Sequence, residues 1–363
     1  MKWEWQVWRR HWLNWLVLPL TLIFLIASYG LLTQQKQRVN VATINRLVNE
    51  HDALEQNLSE LGKQSQTHRV VNEKRLIRQQ LTRLQGYVSA LKANRHNLVH
   101  RRLVYEQGML AHPVLLAMQS KQKVRVAIKR DQAIIARGML ASEANDGMSA
   151  GEFLLRLQNP ITFGFLLIVV IFCTAGLFTR DWHGMGWKMQ YLLPRPRPRL
   201  LWDKLGLASL VTVGCLMVFG VTALVVAGVF THDLGGWRYP VVGANQTLMT
   251  RAMLITLGCA LMVVWAGFLL SVVELVGIWI SDRFVTVLVL SAVVVIGSVL
   301  FHHAAMNQVQ VLNPLSQLSL INNYAKQAPA KLVGLAVIAD VSWTAVVGLV
   351  GIPLRRRILL LHS

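Results

Sequence analysis

The sequence holds little charge for its length, and acidic residues are the scarcest part of that charge. Of 363 residues, 54% are hydrophobic and 15% are charged, whereas soluble domains carry about 25% charged residues. A chain this poor in charge does not cover the surface of a soluble domain of its size. Five or six apolar runs reach the roughly 20 residues that a helix needs to cross a bilayer. The composition therefore predicts a helical membrane protein with several spans.

The scarcity of acid leaves a net charge of +20, from 37 Lys and Arg against 17 Asp and Glu. Most short basic clusters lie beside the apolar runs, which is the bias expected of loops on the cytoplasmic side of a membrane. We therefore expect these basic residues to contact membrane lipid and not nucleic acid.

Cysteine is also scarce. Cys173, Cys215 and Cys259 each fall inside an apolar run, and the sequence has no Cys-x-x-Cys or Cys/His metal spacing. It also lacks Gly-x-x-x-x-Gly-Lys-Ser/Thr, the loop that cradles nucleotide phosphates. No Ser/His/Asp arrangement or carboxylate pair has a recognisable context. We predict no disulfide framework, no metal site, no catalytic residue and no cofactor bound by this chain.

The first residues combine tryptophan with basic side chains. Steps of 3, 4 and 3 residues place four tryptophans on one helical face: Trp5, Trp8, Trp12 and Trp15. We interpret residues 1–12 as an interfacial elbow helix on the cytoplasmic leaflet. The alternative is that they are only the tryptophan-rich, basic beginning of the first span. The first span is predicted at 13–32, as an uncleaved anchor.

Residues 33–159 form the largest polar segment and hold 20 of the 37 basic residues. Two apolar series follow alternating a and d heptad positions at 44–61 and 77–98, with a polar break at 62–67 between them. They predict an antiparallel helical hairpin, although a swapped or dimeric coiled coil satisfies the same pattern. Residues 124–130 alternate like a strand and fit a loop or a helix equally well.

Asn159 and Pro160 form a cap and first-turn pair that predicts the start of the second span. We place spans two to six at 160–178, 205–230, 252–280, 284–302 and 332–353, so that the last four occupy residues 205–353. With the N-terminus inside, the short cytoplasmic segments hold 13 Lys and Arg and the short outer loops hold 4.

The fold expected is therefore an all-α membrane protein with six transmembrane helices and both termini cytoplasmic. An N-terminal interfacial helix precedes the first span, and a large, mostly helical extracytoplasmic insertion separates spans one and two. Residues 354–363 form a cytoplasmic tail.

Residues 179–204 place charge, tryptophan and proline between two apolar runs. Helical spacing joins Trp182, Met185, Met189 and Leu192, which predicts a short amphipathic helix over 181–193. Pro194 ends that helix, because the residue before a proline is driven out of the α region. Three prolines in five residues then predict a stiff, extended Pro-Arg elbow. These residues fit a docking surface for a cytoplasmic partner, a loop that only fixes topology, or a proline-rich ligand.

The same segment resembles the coupling segment between spans two and three of permease subunits in type-2 ATP-binding-cassette (ABC) exporters. That family carries an acidic residue six positions before a Trp-Lys pair and a Pro seven after the Trp. Arg and Lys follow three and ten positions beyond the Pro. The matching residues are Asp181, Trp187, Lys188, Pro194, Arg197 and Lys204. The chain departs from the family with Asp181 in place of Glu and Gly186 in place of Thr. Residues 311–325 likewise resemble the Asn-Pro segment before the family's last span.

The resemblance implies a permease subunit that works with a separate ATPase and a second permease chain, identical or different. The ATPase, which would bind ATP and Mg²⁺, would dock on residues 181–199 and move the spans as rigid bodies. The residues expected to carry this coupling are Asp181, Trp182, Met185, Trp187, Lys188, Leu192, Pro194, Arg195, Arg197 and Lys204. The implied location is a bacterial plasma membrane, and we expect an exported antimicrobial peptide, drug or lipid-like molecule.

Two acidic residues lie inside predicted spans. Charged groups are costly in a bilayer, so Glu274 in span four and Asp340 in span six are candidates for a proton or cation path. The alternatives are a buried structural partner, such as Trp343 for Asp340, or interfacial snorkelling of Glu274. A different class of function also fits the sequence: a membrane sensor or scaffold that binds a ligand or partner through the outer hairpin without ATP-driven transport.

Overall fold

The computed structural model of the chain describes these residues: 12–63, 67–93, 97–111, 120–140, 148–179, 197–231, 233–242, 248–280, 282–300, 312–314 and 330–361. Nearly all of them are helical. The helices are α1 (Trp12–Trp15), α2 (Val17–Lys63), α3 (His68–Lys92), α4 (Leu98–Ala111), α5 (Lys121–Ala136), α6 (Ala150–Leu157), α7 (Pro160–Thr179), α8 (Arg197–Thr231), α9 (Arg251–Trp279), α10 (Arg283–Leu300) and α11 (Ala330–Leu361). Between α8 and α9 lie two short strands, β1 (Pro240–Val242) and β2 (Leu248–Thr250).

These elements divide into two compact units. Unit one comprises Met1–Ala27, Leu154–Val229 and Ala252–Ser363. Unit two comprises Ser28–Phe153 and Phe230–Arg251. The predicted insertion at 33–159 thus corresponds to most of unit two, but the connection between α8 and α9 joins it, which the sequence did not indicate.

Unit one is built from apolar helices. Within the described residues, five helices are long and apolar enough to cross a membrane: Val17–Lys63, Pro160–Thr179, Asp203–Thr231, Arg251–Gly277 and Gly334–Gly351. The apolar part described for α10, Arg283–Gly297, is shorter. These helices lie where spans were predicted, and they indicate a membrane protein.

α7 lies at the core of unit one, where most of its side chains are buried and it packs along α10. Phe163 of α7 meets Trp265 of α9 edge to face, and Trp265 meets Phe268 in the same way. The predicted start of this helix is present: Asn159 Oδ1 accepts the Thr162 N–H at 2.9 Å, and Pro160 is the first helical residue.

Unit two begins with a helical hairpin. The polar break lies where it was predicted, because α2 ends at Lys63 and α3 begins at His68. The second apolar series is the better buried one, with Ile77, Leu81, Leu84 and Leu91 in the core, whereas only Leu47 of the first series is fully buried. Helices α4 and α5 cover the hairpin and contribute the rest of its core.

Two expectations for unit two are resolved or corrected. Residues 124–130, which fitted a strand or a helix, belong to α5, because Val124, Ile128, Asp131 and Ile134 bury one helical face. The all-α description was wrong in detail. β1 and β2 pair antiparallel, with Pro240 opposite Thr250 and Val242 opposite Leu248.

Two predicted boundaries also differ. The first span was predicted to end at residue 32, but α2 continues unbroken to Lys63. No Pro or Gly lies between 31 and 61 to interrupt it. The Pro-Arg elbow was predicted as extended through residue 199, whereas α8 already begins at Arg197. Pro198 is tolerated there because the first turn of a helix does not need its missing N–H.

Candidate functional site

The predicted ATPase-coupling residues divide between described and undescribed parts of the chain. Eight of them lie outside the described residues: Asp181, Trp182, Met185, Trp187, Lys188, Leu192, Pro194 and Arg195. The elbow helix predicted at 1–12 also lies outside them, apart from Trp12. Arg197 is the first residue of α8, and Lys204 lies two turns later with its side chain buried.

The Asn-Pro turn, residues 312–314, lies against the middle of two apolar helices. Trp265 Nε1 donates to the Pro314 carbonyl at 3.0 Å, and Trp343 Nε1 donates to the Leu312 carbonyl at 2.9 Å. Trp265 is the central residue of α9, and Trp343 lies near the centre of the apolar segment Gly334–Gly351. The turn at Leu312 and Asn313, together with the helical Pro314, is thus held at mid-length of two candidate spans.

This arrangement answers a chemical requirement. A carbonyl that meets hydrocarbon without a hydrogen bond costs several kcal/mol, so irregular backbone at membrane depth occurs only where protein buries it or a polar cavity adjoins it. The two indole N–H groups supply the donors that bulk water would supply elsewhere. The geometry therefore identifies a place where two apolar helices hydrogen-bond the backbone of the Asn-Pro turn.

The two intramembrane acids lie at different positions in unit one. Asp340 is buried on α11, one turn before Trp343, so it shares a face with the residue that holds the Asn-Pro turn. The Asp340 carbonyl also accepts the Thr344 hydroxyl at 2.7 Å. Glu274 is buried on α9, about 14 Å along the helix from Trp265. Only Asp340 is therefore placed beside the turn.

Arg283 is one of the basic residues that predict which loops are cytoplasmic. Its side chain also joins three structural elements. It begins α10, and its Nη2 donates to Asn14 Oδ1 and to the Phe172 carbonyl, both at 2.9 Å. Gly176 leaves room for it, since a Cβ there would lie 3.1 Å from Arg283 Nε. One cation thus links α1, α7 and α10.

Unit two contains a buried three-charge cluster that we call the Glu152 junction. Glu152 Oε2 on α6 lies 3.3 Å from Lys36 Nζ on α2 and 3.8 Å from Arg251 Nη2 at the start of α9. All three side chains are more than nine-tenths buried. One carboxylate therefore fastens three segments that each continue into a candidate span.

Neighbouring backbone contacts tighten the Glu152 junction. Ala150 N–H donates to the Asp233 carbonyl at 3.0 Å, and Gly151 N–H donates to the Gly235 carbonyl at 3.1 Å. Gly236 has φ 83°, a left-handed conformation that favours glycine, and a Cβ there would collide with the Ser149 hydroxyl. The connection after α8 is consequently held close to the start of α6.

A second buried ion pair lies between α4 and α5. Arg102 donates to both carboxylate oxygens of Asp131, at 2.6 and 2.7 Å, and Asp131 is fully buried. On the same helix as Arg102, burial raises the pKa of Tyr105, and the negative charge of Glu50, which accepts its hydroxyl hydrogen bond, raises it further. These polar contacts tie α2, α4 and α5 together.

One group of described side chains has the chemistry of metal ligands: His51, Asp52 and Glu55 of α2. The ligand atoms lie within 4.8 Å of one another, but both carboxylates are exposed, and His51 also contacts Gln85. Sequence reasoning had assigned His51 to a heptad position only. The absence of a metal site stays a prediction.

Comparison with known proteins adds no relative to this geometry: no protein family, curated protein or solved structure matches the chain. The resemblance of residues 181–204 to an exporter coupling segment therefore remains an inference from sequence spacing.

Sequence reasoning missed three features of these sites. The Glu152 junction and the Arg102–Asp131 pair join residues 29 to 116 positions apart, which no local pattern connects. Trp265 and Trp343 both lie inside apolar runs of the sequence and carry an indole N–H that needs an acceptor. Only Trp343 was considered in the sequence analysis, as a partner for Asp340. A Trp in the middle of a span, next to a predicted Asn-Pro turn, was the available signal.

Proposed function

We propose that the chain is the permease subunit of an ABC exporter, with six spans and both termini cytoplasmic, and that it is not itself an enzyme. A separate ATPase docks on residues 181–199, binds ATP and Mg²⁺, and drives export across a bacterial plasma membrane. A second permease chain, identical or different, completes the path. The substrate class we favour is an antimicrobial peptide, a drug or a lipid-like molecule.

The observation that carries this proposal is the Asn-Pro turn at mid-length of α9 and α11. Transporters place substrate and ion sites near the middle of the bilayer, and they build these sites from interrupted, non-helical segments. Here the turn at Leu312 and Asn313, followed by the helical Pro314, is hydrogen-bonded to Trp265 and Trp343, and the buried Asp340 lies one turn from Trp343. A scaffold has no need of this costly arrangement, whereas a transport path does.

The composition of unit two supports the proposed topology. Residues 28–153 and 230–251 belong to one compact unit, and two apolar helices, α7 and α8, lie between them in sequence. If α7 and α8 each cross the membrane once, the chain returns to the side of the membrane from which it started. This agrees with both segments lying outside the cell.

The start of α8 supports the proposed coupling. This helix runs without a break from Arg197, inside the predicted docking segment, to Thr231. A rigid helix transmits displacement along its length, so a push on residues 181–197 would reach the third span directly.

The second candidate is a membrane sensor or scaffold that binds through unit two. One observation favours it: unit two has its own core and two buried ionic clusters, so it is equipped to present a fixed surface. This candidate requires activity without an ATPase.

The test begins with affinity purification of the full chain from native membranes, where the proposal expects an ATPase to co-purify. In proteoliposomes with that ATPase, Trp187→Ala, Pro194→Ala and Arg197→Ala should each weaken ATPase binding or its coupling to export. Arg38→Ala, an exposed arginine of α2, is the matched control and should behave as the wild type.

A second set of variants separates the path from the docking site. Trp265→Phe and Asp340→Asn should retain the bound ATPase but reduce export. Normal export after residues 181–199 are replaced by a neutral linker would overturn the exporter proposal. Full activity in membranes that lack any associated ATPase would favour the sensor.

A further inference from the structure

One face of α3 combines three cations with a solvent-open surface cavity of about 520 Å³. The described residues that line it are Val71, Lys74, Arg75, Arg78, Gln79 and Thr82. They recur at steps of one, three and four, so they share one side of the helix. A different side of α3 carries Ile77, Leu81 and Leu84 into the core of unit two. The cavity face is therefore separate from the packing face.

The three cations of this face are not neutralised within the described residues. No hydrogen bond or ion pair there joins the side chain of Lys74, Arg75 or Arg78 to another group, whereas the nearby Arg69 pairs with Glu73 at 3.2 Å. Lys74 and Arg78 lie four positions apart and Arg75 and Arg78 three apart, spacings at which like charges repel. An anion in the cavity would relieve that repulsion.

The position of this face on the hairpin favours a soluble anion over a membrane headgroup. His51 Nε2 lies 3.0 Å from Gln85 Nε2, which fixes the antiparallel register of α2 and α3. The cavity therefore lies beside the stretch of α2 from about residue 54 to 62, roughly 33–45 Å along the helix from Leu32. Leu32 ends the apolar run of α2, and exposed charges at physiological salt interact over only about 8 Å.

We propose that residues 71–82 of α3 form a binding site for a small soluble ligand that carries phosphate groups. Guanidinium groups bind phosphate oxygens in pairs, and lysine adds a compact point charge. Gln79 provides a neutral amide donor beside them, whereas the Thr82 hydroxyl donates to the Arg78 carbonyl at 3.1 Å. The site belongs to unit two alone and does not depend on transport.

The test uses the full chain in nanodiscs of zwitterionic phosphatidylcholine, titrated with inorganic pyrophosphate in a calorimeter. The wild type should bind, with an affinity that falls as salt rises. The combined variant Lys74→Gln, Arg75→Gln, Arg78→Gln should lose at least about tenfold in affinity. Its melting temperature without ligand should equal or exceed that of the wild type, because like charges have been removed.

The matched control removes the same charge from α5, with Lys121→Gln, Lys123→Gln and Lys129→Gln, all exposed residues. Its pyrophosphate affinity should stay within about twofold of the wild type, since exposed charges at a distance contribute little. An equal loss in the control would show that bulk charge attracts the anion and would overturn the proposal. Absence of pyrophosphate binding to the wild type would also overturn it.

Two further arms identify the source of the anion. In nanodiscs that contain phosphatidylglycerol, pyrophosphate binding should persist; its loss would mean that headgroups occupy the face, against the proposal. An oligoglutamate peptide should bind at least tenfold more weakly than pyrophosphate. The reverse ranking, with the same dependence on Lys74, Arg75 and Arg78, would replace the phosphate ligand with an acidic protein segment.

Discussion

The two units pair their polar side chains in different ways. In unit one, side-chain donors bind backbone carbonyls: Trp265 to Pro314, Trp343 to Leu312, and Arg283 to Phe172. In unit two, buried charged side chains pair with side chains of opposite charge, as in the Glu152 junction and the Arg102–Asp131 pair. The difference teaches that each unit fixes its irregular contacts with the bond type its surroundings favour. In the apolar unit carbonyl acceptors serve both the two indoles and the Arg283 cation, whereas the buried carboxylates of unit two are held in ion pairs that must remain complete.

The largest expected effect comes from breaking an ion pair of unit two. Asp131→Ala leaves the buried guanidinium of Arg102 without its carboxylate, which should lower the free energy of unfolding by about 3–5 kcal/mol. Hydrogen exchange of α4 and α5 peptides, measured on the full chain in nanodiscs, reports this loss. Unchanged exchange in both helices would contradict the role assigned to the pair.

A smaller effect should follow from removing one donor in unit one. Trp265→Phe keeps the aromatic contacts with Phe163 and Phe268 but leaves the Pro314 carbonyl without its indole donor, at a cost of about 1–3 kcal/mol. The Asn-Pro turn should then exchange or label faster, which a cysteine introduced at Asn313 can report. Trp279→Phe, an exposed tryptophan at the end of α9, is the control and should leave that labelling rate unchanged.

A pH-dependent effect should appear at Tyr105. Its folded pKa is raised above the ordinary 10.0, so its contribution to stability is complete below pH 10 and is lost as pH rises, because the unfolded chain then releases the proton first. The stability advantage of the wild type over Tyr105→Phe should therefore shrink by about 1.4 kcal/mol per pH unit above 10. Denaturant unfolding of both proteins at a series of alkaline pH values measures the difference. A constant advantage across that range would mean that Tyr105 is not held protonated.

The smallest effect should come from an exposed ion pair in the same unit. Glu73→Ala removes the partner of Arg69, whose side chain is largely exposed, and should change the free energy of unfolding by at most about 1 kcal/mol. Measured beside Asp131→Ala, it separates burial from charge as the cause of the larger loss. A comparable loss in both variants would remove that distinction.

Local sequence patterns were sufficient where a segment's own residues decide its structure. The apolar runs gave the helices of unit one, the Asn159–Pro160 pair gave the start of α7, and heptad spacing with a polar break gave the α2–α3 hairpin. In each case the signal lies within a few turns of one helix, where period and capping act.

Patterns failed where partners come from distant parts of the chain. No local pattern in residues 230–251 predicts that they join unit two, because their contacts, which include backbone bonds to Ala150 and Gly151 and the Arg251–Glu152 ion pair, are with residues far away in sequence. The continuity of α2 was missed for another reason. The change from apolar to polar residues near residue 32 predicts the end of a membrane span, but it does not predict the end of the helix. Helices end at breakers and caps rather than at changes of polarity.

The length of α2 has a consequence for rotation. Leu25 and Leu47 are both buried and lie 22 residues apart on one unbroken helix, so ideal helix geometry sets their side-chain directions about 40° apart. An inserted residue between them would turn Leu47 by about 100°, whereas four inserted residues would turn it by only about 40°. The register of α2 is therefore far more sensitive to one inserted residue than to four.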